Sequence, residues 1–333
     1  MAAYTTIDNP ELYFQTVLYS GNNTSQSITL DGDEDMQPDM VWIKERNGTE
    51  DHCIFDAVRG GSKRISPNTT GTEWDSATNV TSFDSDGFSV GSNDQINDSG
   101  NTQVAYCWKE SNSDAGMDIV TWTGNGSSQN ISHSLSAVPH FMITKNRSAT
   151  GDWTTYHKYG GGTKTFYLSN TDAIGTTSSP WNDTTPTSSV FSVGGGAYTN
   201  GDGNSIIGYL WTEKQGFSKF GYYTGNGNAD GPMIWLGFRP AWLLIKRSSA
   251  SGTDWILHDN KRAGFNVNDD YLAPNTNAAE VTGNTYQNLD LLSNGFKLRG
   301  SGTGTNTDGA TYIYMAFAEA PLVNSEGVPG NAR

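Results

Sequence analysis

A short apolar run that opens on proline and ends on lysine occurs three times in this chain. Pro38-Asp39-Met40-Val41-Trp42-Ile43-Lys44 recurs as Pro139-His140-Phe141-Met142-Ile143-Thr144-Lys145 and as Pro240-Ala241-Trp242-Leu243-Leu244-Ile245-Lys246. The three prolines stand at equal intervals of 101 residues. Whatever one repeat folds into, the other two must be able to fold into as well.

The flanking residues keep the same register. Each repeat begins with a strand running into a Gly/Asn turn: Tyr19-Ser20-Gly21-Asn22, Trp122-Thr123-Gly124-Asn125 and Tyr223-Thr224-Gly225-Asn226. Glycine and asparagine tolerate the positive φ of tight turns. A strand after the Pro…Lys run reads His52 to Asp56, Trp153 to His157 and Trp255 to Asp259. An Asn-Thr pair then marks a loop at Asn68-Thr69, Asn170-Thr171 and Asn275-Thr276. Tryptophan pairs Trp42/Trp242, Trp108/Trp211 and Trp153/Trp255 read as repeated core positions. The closing strands, Val104 to Trp108, Ile207 to Trp211 and Ile313 to Phe317, are apolar nearly throughout, as a central strand covered on both faces would be. Each follows a polar loop ending in glycine (Gly100, Gly203, Gly309).

Short β-branched and aromatic runs between Gly/Asn/Asp/Ser clusters, with no sustained helical period, predict an all-β chain. The expected architecture is three tandem antiparallel β-sandwich (jelly-roll-like) modules of about 100 residues each. The boundaries fall at 13–113, 114–216 and 217–322, with an N-terminal leader over 1–12 and an irregular tail over 323–333. The links between modules are short, which predicts modules in fixed contact.

Composition excludes several functions. The formal net charge is −15, which repels phosphate backbones and anionic lipid surfaces, so neither nucleic acid nor membrane insertion is expected. No 18-residue apolar run occurs, and the first residues have neither the basic nor the apolar part of a signal peptide. The two cysteines, Cys53 and Cys107, align with small or apolar residues and read as buried free thiols, in keeping with synthesis in a reducing cytoplasm.

Motifs for chemistry are weak. Asp31-Gly32-Asp33-Glu34-Asp35 resembles the opening of a calcium loop, but Met36 replaces the required glycine and Trp42 the closing glutamate. Asn226 to Gly231 has the glycine and lacks the glutamate. The five histidines, His52, His133, His140, His157 and His258, do not recur at equivalent positions, so no metal or other cofactor is expected. Asp84/Asp86 and Asp269/Asp270 are acidic pairs of the kind a glycosidase needs, yet turn chemistry alone selects them. No nucleophile elbow or phosphate loop is present, and no catalytic residue is assigned. Trp74, Trp181 and Trp235 lie outside the most regular strands. They are the candidate glycan contacts, since a sugar ring is held by stacking on an indole beside polar side chains.

The residues also carry a resemblance. Asp8-Asn9-Pro10-Glu11-Leu12-Tyr13-Phe14-Gln15-Thr16-Val17-Leu18-Tyr19, the first Pro…Lys run, Ser82 to Phe88, Gly216 to Gly221 and Asn324 to Pro329 resemble an uncharacterised repeat family of marine tailed bacteriophages. The match runs through nearly the whole chain. It implies a virion structural protein of the kind found with tail fibres and capsid-surface decorations, made in the host cytoplasm and partnered by other virion proteins. The chain has no extended attachment domain or coiled-coil shaft, which favours a compact appendage, possible as a homo-oligomer. The expectation is therefore a non-enzymatic virion protein aiding host attachment. The alternative is a carbohydrate-binding, host-recognition module, and the third reading is an enzyme degrading host polysaccharide.

Overall fold

The computed structural model describes residues 3–330. Met1 and Ala2 of the expected leader, and the last three residues of the expected tail, lie outside them. The chain is all-β, with 39% of residues in strands and 4% in helix. The α-helices among the described residues are two four-residue turns, Asp94–Asn97 and Ala197–Asn200.

Each repeat contributes an antiparallel sheet with the same strand order. In the first it runs Phe14–Ser20, Thr102–Trp108, Met40–Glu45, Cys53–Asp56. In the third it runs Ser218–Thr224, Thr311–Pro321, Phe238–Arg247, Ile256–Asp259. The second follows the same order, Met117–Thr123, Ser205–Trp211, Phe141–Asn146, Thr154–His157, and adds Lys164–Tyr167 and Gly175–Thr176 at one edge. The closing strand is an inner strand every time, which accounts for its unbroken apolar character. A smaller companion sheet accompanies each. It contains Gln26–Ile28, Gly87–Val90 and Val80–Asp84 in the first repeat, Gln129–Ser132 and Val190–Val193 in the second, and Met233–Trp235, Gly295–Leu298 and Leu289–Leu292 in the third.

Strand alternation sends each main sheet two ways. In the first repeat Val41, Ile43, Ala105 and Cys107 pack with Ile28, Val80, Phe88 and Val90 of the companion sheet. The opposite face presents Met40, Trp42, Val104, Tyr106 and Trp108, which join a core shared by all three repeats. There Trp108 stands 6.3 Å from Trp211, 5.5 Å from Trp242 and 5.7 Å from Phe317, ring centre to ring centre. Phe141 and Phe220 close the contact between the second and third repeats at 5.9 Å. Trp108, Trp211 and Phe317 hold equivalent places on the three closing strands. Trp42 and Trp242 do not, contrary to the sequence expectation. Met40 and Trp242 pair with the aspartates Asp56 and Asp259, whereas Trp42 pairs with Ile54 two residues on.

Two other registers are corrected. The glycines Gly21, Gly124 and Gly225 are needed for close approach: a Cβ would sit 2.0, 2.1 and 2.4 Å from the carbonyl oxygens of Asp98, Gly201 and Thr307. Positive φ falls two residues later, at Asn23, Gly126 and Gly227. The turn is locked by Asn97, Asn200 and Asn306, whose side chains accept from the backbone N–H of Asn22, Asn125 and Asn226 at 3.0, 3.1 and 2.9 Å. In the Asn-Thr loops, Asn68 and Asn275 accept from the backbone N–H of His52 and Trp255, but in the second repeat Ser169 Oγ does this for Trp153 and Asn170 lies one place on.

The repeated lysines are buried. Lys145 donates to the Gly151 and Thr70 carbonyls at 2.9 and 3.2 Å, and Lys44 to those of Glu45 and Gly48 at 2.7 and 3.0 Å. Burial pulls the ammonium groups of Lys44, Lys145 and Lys246 down to about 8. Cys53 and Cys107 are buried free thiols, and burial pushes both up, Cys53 to about 12.

The leader is not a free extension. Tyr4 donates to the Gly237 carbonyl at 2.8 Å, Thr5 to that of Gln215 at 2.7 Å, and Asp8 accepts from the Ser325 N–H at 2.6 Å. The start of the chain is thereby fastened to the end of the second repeat, the third repeat and the tail.

Candidate functional site

Three seams join the repeats in a closed ring, and a polar network is built into two of them. At the seam of the first and second repeats, Arg59 holds Asp56 at 2.6 Å and Glu73 at 3.1 Å. Arg147 from the second repeat binds Glu73 at 2.7 and 2.9 Å, and the Tyr209 hydroxyl donates to Asp56 at 2.6 Å. At the seam of the third and first repeats the same five roles fall to Arg262, Asp259, Glu280, Arg46 and Tyr106. Arg262 pairs with Asp259 and lies 3.5 Å from Glu280, Arg46 binds Glu280 at 2.5 Å, and Tyr106 donates to Asp259 at 2.7 Å. Burial alone would raise the Asp259 carboxyl; Arg262 and Tyr106 outweigh it and hold it below its ordinary value.

The third seam carries the same backbone hydrogen bond as the others. Glu73, Ile174 and Glu280 donate to the carbonyls of Arg147, Ser248 and Arg46 at 3.0, 3.1 and 2.7 Å. Here, however, all five network positions are exchanged together, for His157, Gly160, Ile174, Ser248 and Met315. A Cβ on Gly160 would meet Ile174 Cδ1 at 2.8 Å, so isoleucine fills the space an arginine stem takes elsewhere. A lone aspartate or arginine at this seam would be a buried unpaired charge, which explains why the five change as a set.

The three histidines that are almost wholly buried, His52, His157 and His258, should make this body acid-sensitive. His157 faces the Tyr314 carbonyl across the third seam, and His258 faces Asn268 at 2.9 Å. Burial lowers His157 from 6.5 to about 3, His258 to about 4, and His52 well below its ordinary value. The unfolded chain binds these protons below about pH 6.5 while the folded one refuses them. Stability is therefore fully present above that pH and is lost as pH falls toward 4. The combined loss by pH 4 is on the order of several kcal/mol. Urea unfolding at stepped pH should show it, and His157→Gln should reduce the slope between pH 6 and 4 by about one proton. A stability unchanged from pH 7 to 4 would contradict this.

The three candidate tryptophans separate. Trp181 is 1% exposed and packs on Tyr156 at 5.7 Å. It belongs to the core of the second repeat with Phe191 and Leu210, so its ring has no face for a ligand. Trp74 is 56% and Trp235 51% exposed, and they lie in separate clefts of the first and third repeats.

Trp74 sits on a two-residue strand, Trp74–Asp75, paired with Lys63–Arg64. Its neighbour Glu73 is clamped by Arg59 and Arg147, so the seam network fixes the backbone that carries the indole. The Arg64 guanidinium lies over the ring at 4.5 Å. Ser76, Thr78, Asn93, Asp94, Gln95 and Glu50 line the rest of an open cleft of about 400 Å³. Trp235 borders a cleft of about 280 Å³ with Tyr4, Glu213, Lys214 and Lys219, where Lys219 donates to its carbonyl at 2.8 Å.

The acidic pairs are tied up locally: Asp270 accepts from the Gly283 N–H at 3.1 Å. Asp84 accepts from Ser82 and Ser89 at 2.7 Å each, and Asp86 from the Met36 N–H at 3.3 Å. Among the described residues no group of three or more His, Cys, Asp or Glu is placed to hold a metal ion, and no helix is long and apolar enough to cross a membrane.

Comparison with known proteins places the chain in a family. Residues 9–321 match the model of DUF7483, described as a domain of unknown function. The chain belongs to the DUF7483 family. The matched segment takes in all three repeats and both seam networks. No curated protein matches the chain.

Proposed function

We propose that this DUF7483 chain is a non-enzymatic structural protein of a tailed-bacteriophage particle, mounted on the capsid or tail surface as a compact appendage among other virion proteins. Each repeat is read as a small jelly-roll-like β-sandwich module, the main sheet facing its companion sheet, and the three modules act as one block. The observation that carries this reading is the shared aromatic core closed by buried seams. A rigid body with long polar loops outside suits a component that must stay assembled on a particle. Because Tyr4, Thr5 and Asp8 engage the end of the second repeat, the third repeat and the tail, the mounting role is assigned to the first repeat. Mass spectrometry of purified particles from a phage carrying this gene should find the protein at fixed stoichiometry. Its absence from particles would overturn the proposal.

A second reading is favoured by the exposed indoles of Trp74 and Trp235: the modules bind host surface glycan during attachment. Stacking of a sugar ring on an open indole, with amide, hydroxyl and charged groups at the edge, is the chemistry both clefts offer. On a glycan array the protein should bind, and Trp74→Ala with Trp235→Ala should abolish that signal. An array with no binding by the wild-type protein would end this second reading and leave the first standing.

A further inference from the structure

We propose that the Trp74 cleft of the first repeat is a subsite for one uncharged pyranose ring of a polysaccharide; this deepens the glycan-binding reading and rests on it. Arg64 covers one face of the indole at 4.5 Å, and the ring remains 56% exposed, so a sugar can stack on the other face. A cation on the covered face fixes the ring's attitude before a ligand arrives. Arg64 itself is 8% exposed, and its Nη1 has no hydrogen-bond partner. A buried guanidinium nitrogen without a partner is costly and is satisfied by an acceptor brought to it. Arg64 lines the same cleft, and a sugar hydroxyl at the edge of the indole is an acceptor of the kind it lacks.

The charge of the sugar is set by the carboxylates of the cleft. Glu50 and Asp94 line the same cleft, and carboxylates there repel a uronate or sulfate while accepting hydrogen bonds from neutral hydroxyls. One cation and two carboxylates around an aromatic platform match a ring that both donates and accepts.

The second repeat has a cleft at the equivalent place, about 320 Å³, between Thr177–Ser179 and the short helix starting at Ala197. Tyr167, Tyr198, Pro180 and hydroxyl groups line it, with no charged side chain. The hollow is thus a product of the shared fold. The arginine and carboxylates are the first repeat's own.

Saturation-transfer NMR on the full chain tests the proposal, with maltotriose, cellotriose and mannotriose as neutral probes, and a triguluronate and a sulfated galactotriose as charged ones. At least one neutral trisaccharide should bind, and the charged pair should not. Trp74→Ala should weaken binding about tenfold or more, Trp74→Tyr should restore most of it, and Asp94→Asn should weaken it while the thermal midpoint stays unchanged. Binding that survives Trp74→Ala and vanishes in Trp235→Ala would overturn this subsite and keep the glycan reading. Binding of the charged sugars alone would overturn the assigned ligand class. No binding of any probe, in a protein that also gives no array signal, would overturn both.

Discussion

Replacing Asp259 by alanine should cost about 3–5 kcal/mol of folding stability, among the largest effects of any single charge removal in this chain. The carboxylate is buried, and its loss leaves the Arg262 guanidinium and the Tyr106 hydroxyl without their shared acceptor. Glu280 lies 3.5 Å from Arg262 but is already engaged by Arg46. It cannot replace the lost pair without weakening its own. Asp56→Ala should behave alike, because Arg59 and Tyr209 lose the same partner at the other networked seam. Asp230, 88% exposed beside Lys297, is the control, and its replacement should leave the urea midpoint nearly unmoved. Tyr106→Phe isolates the interrepeat part of the effect, since it removes one hydroxyl and keeps Arg262 paired. A loss of about 1 kcal/mol is expected there.

Truncating Trp108 to alanine should be comparably damaging, about 3–5 kcal/mol. Its indole contacts rings of the other two repeats as well as Phe14 of its own, at 4.9 Å. The cavity opens where three sheets converge, so no single element can relax into it. Trp74→Ala removes a ring of the same size from an exposed edge and should change stability by little more than its contact with Arg64 is worth, about 1 kcal/mol or less. Paired denaturation curves for the two variants separate the central role of one tryptophan from the peripheral role of the other. Equal losses would contradict the shared core.

Much of the fold was legible because strand physics repeats with the sequence. The apolar closing strands are inner strands, and Gly100, Gly203 and Gly309 take the positive φ of 87°, 70° and 67° that a turn before them requires. Alternation along Val104 to Trp108 also announces two buried faces, but it does not say what covers each. That Tyr106 and Trp108 meet other repeats depends on contacts across the ring, which local pattern does not encode. The spacing of Asp56 with Arg59 and of Asp259 with Arg262 was a usable signal for the seams. Their tyrosine partners, 153 residues distant in both cases, were not. Trp181 and Trp74 looked alike in sequence, since both stand in irregular segments rich in Ser, Thr and Asn. One fills the core position that Val80 holds in the first repeat, and the other lies on an edge strand. The value of Arg64 was likewise hidden until its strand was paired with that of Trp74.

The claim that the three repeats form one body, not three tethered domains, is tested most directly by calorimetric unfolding of the full chain. A shared core and closed seams predict a single transition with equal calorimetric and van't Hoff enthalpies, shifted as a whole by Asp259→Ala. Two or three resolved transitions, with Asp259→Ala moving only one of them, would contradict it.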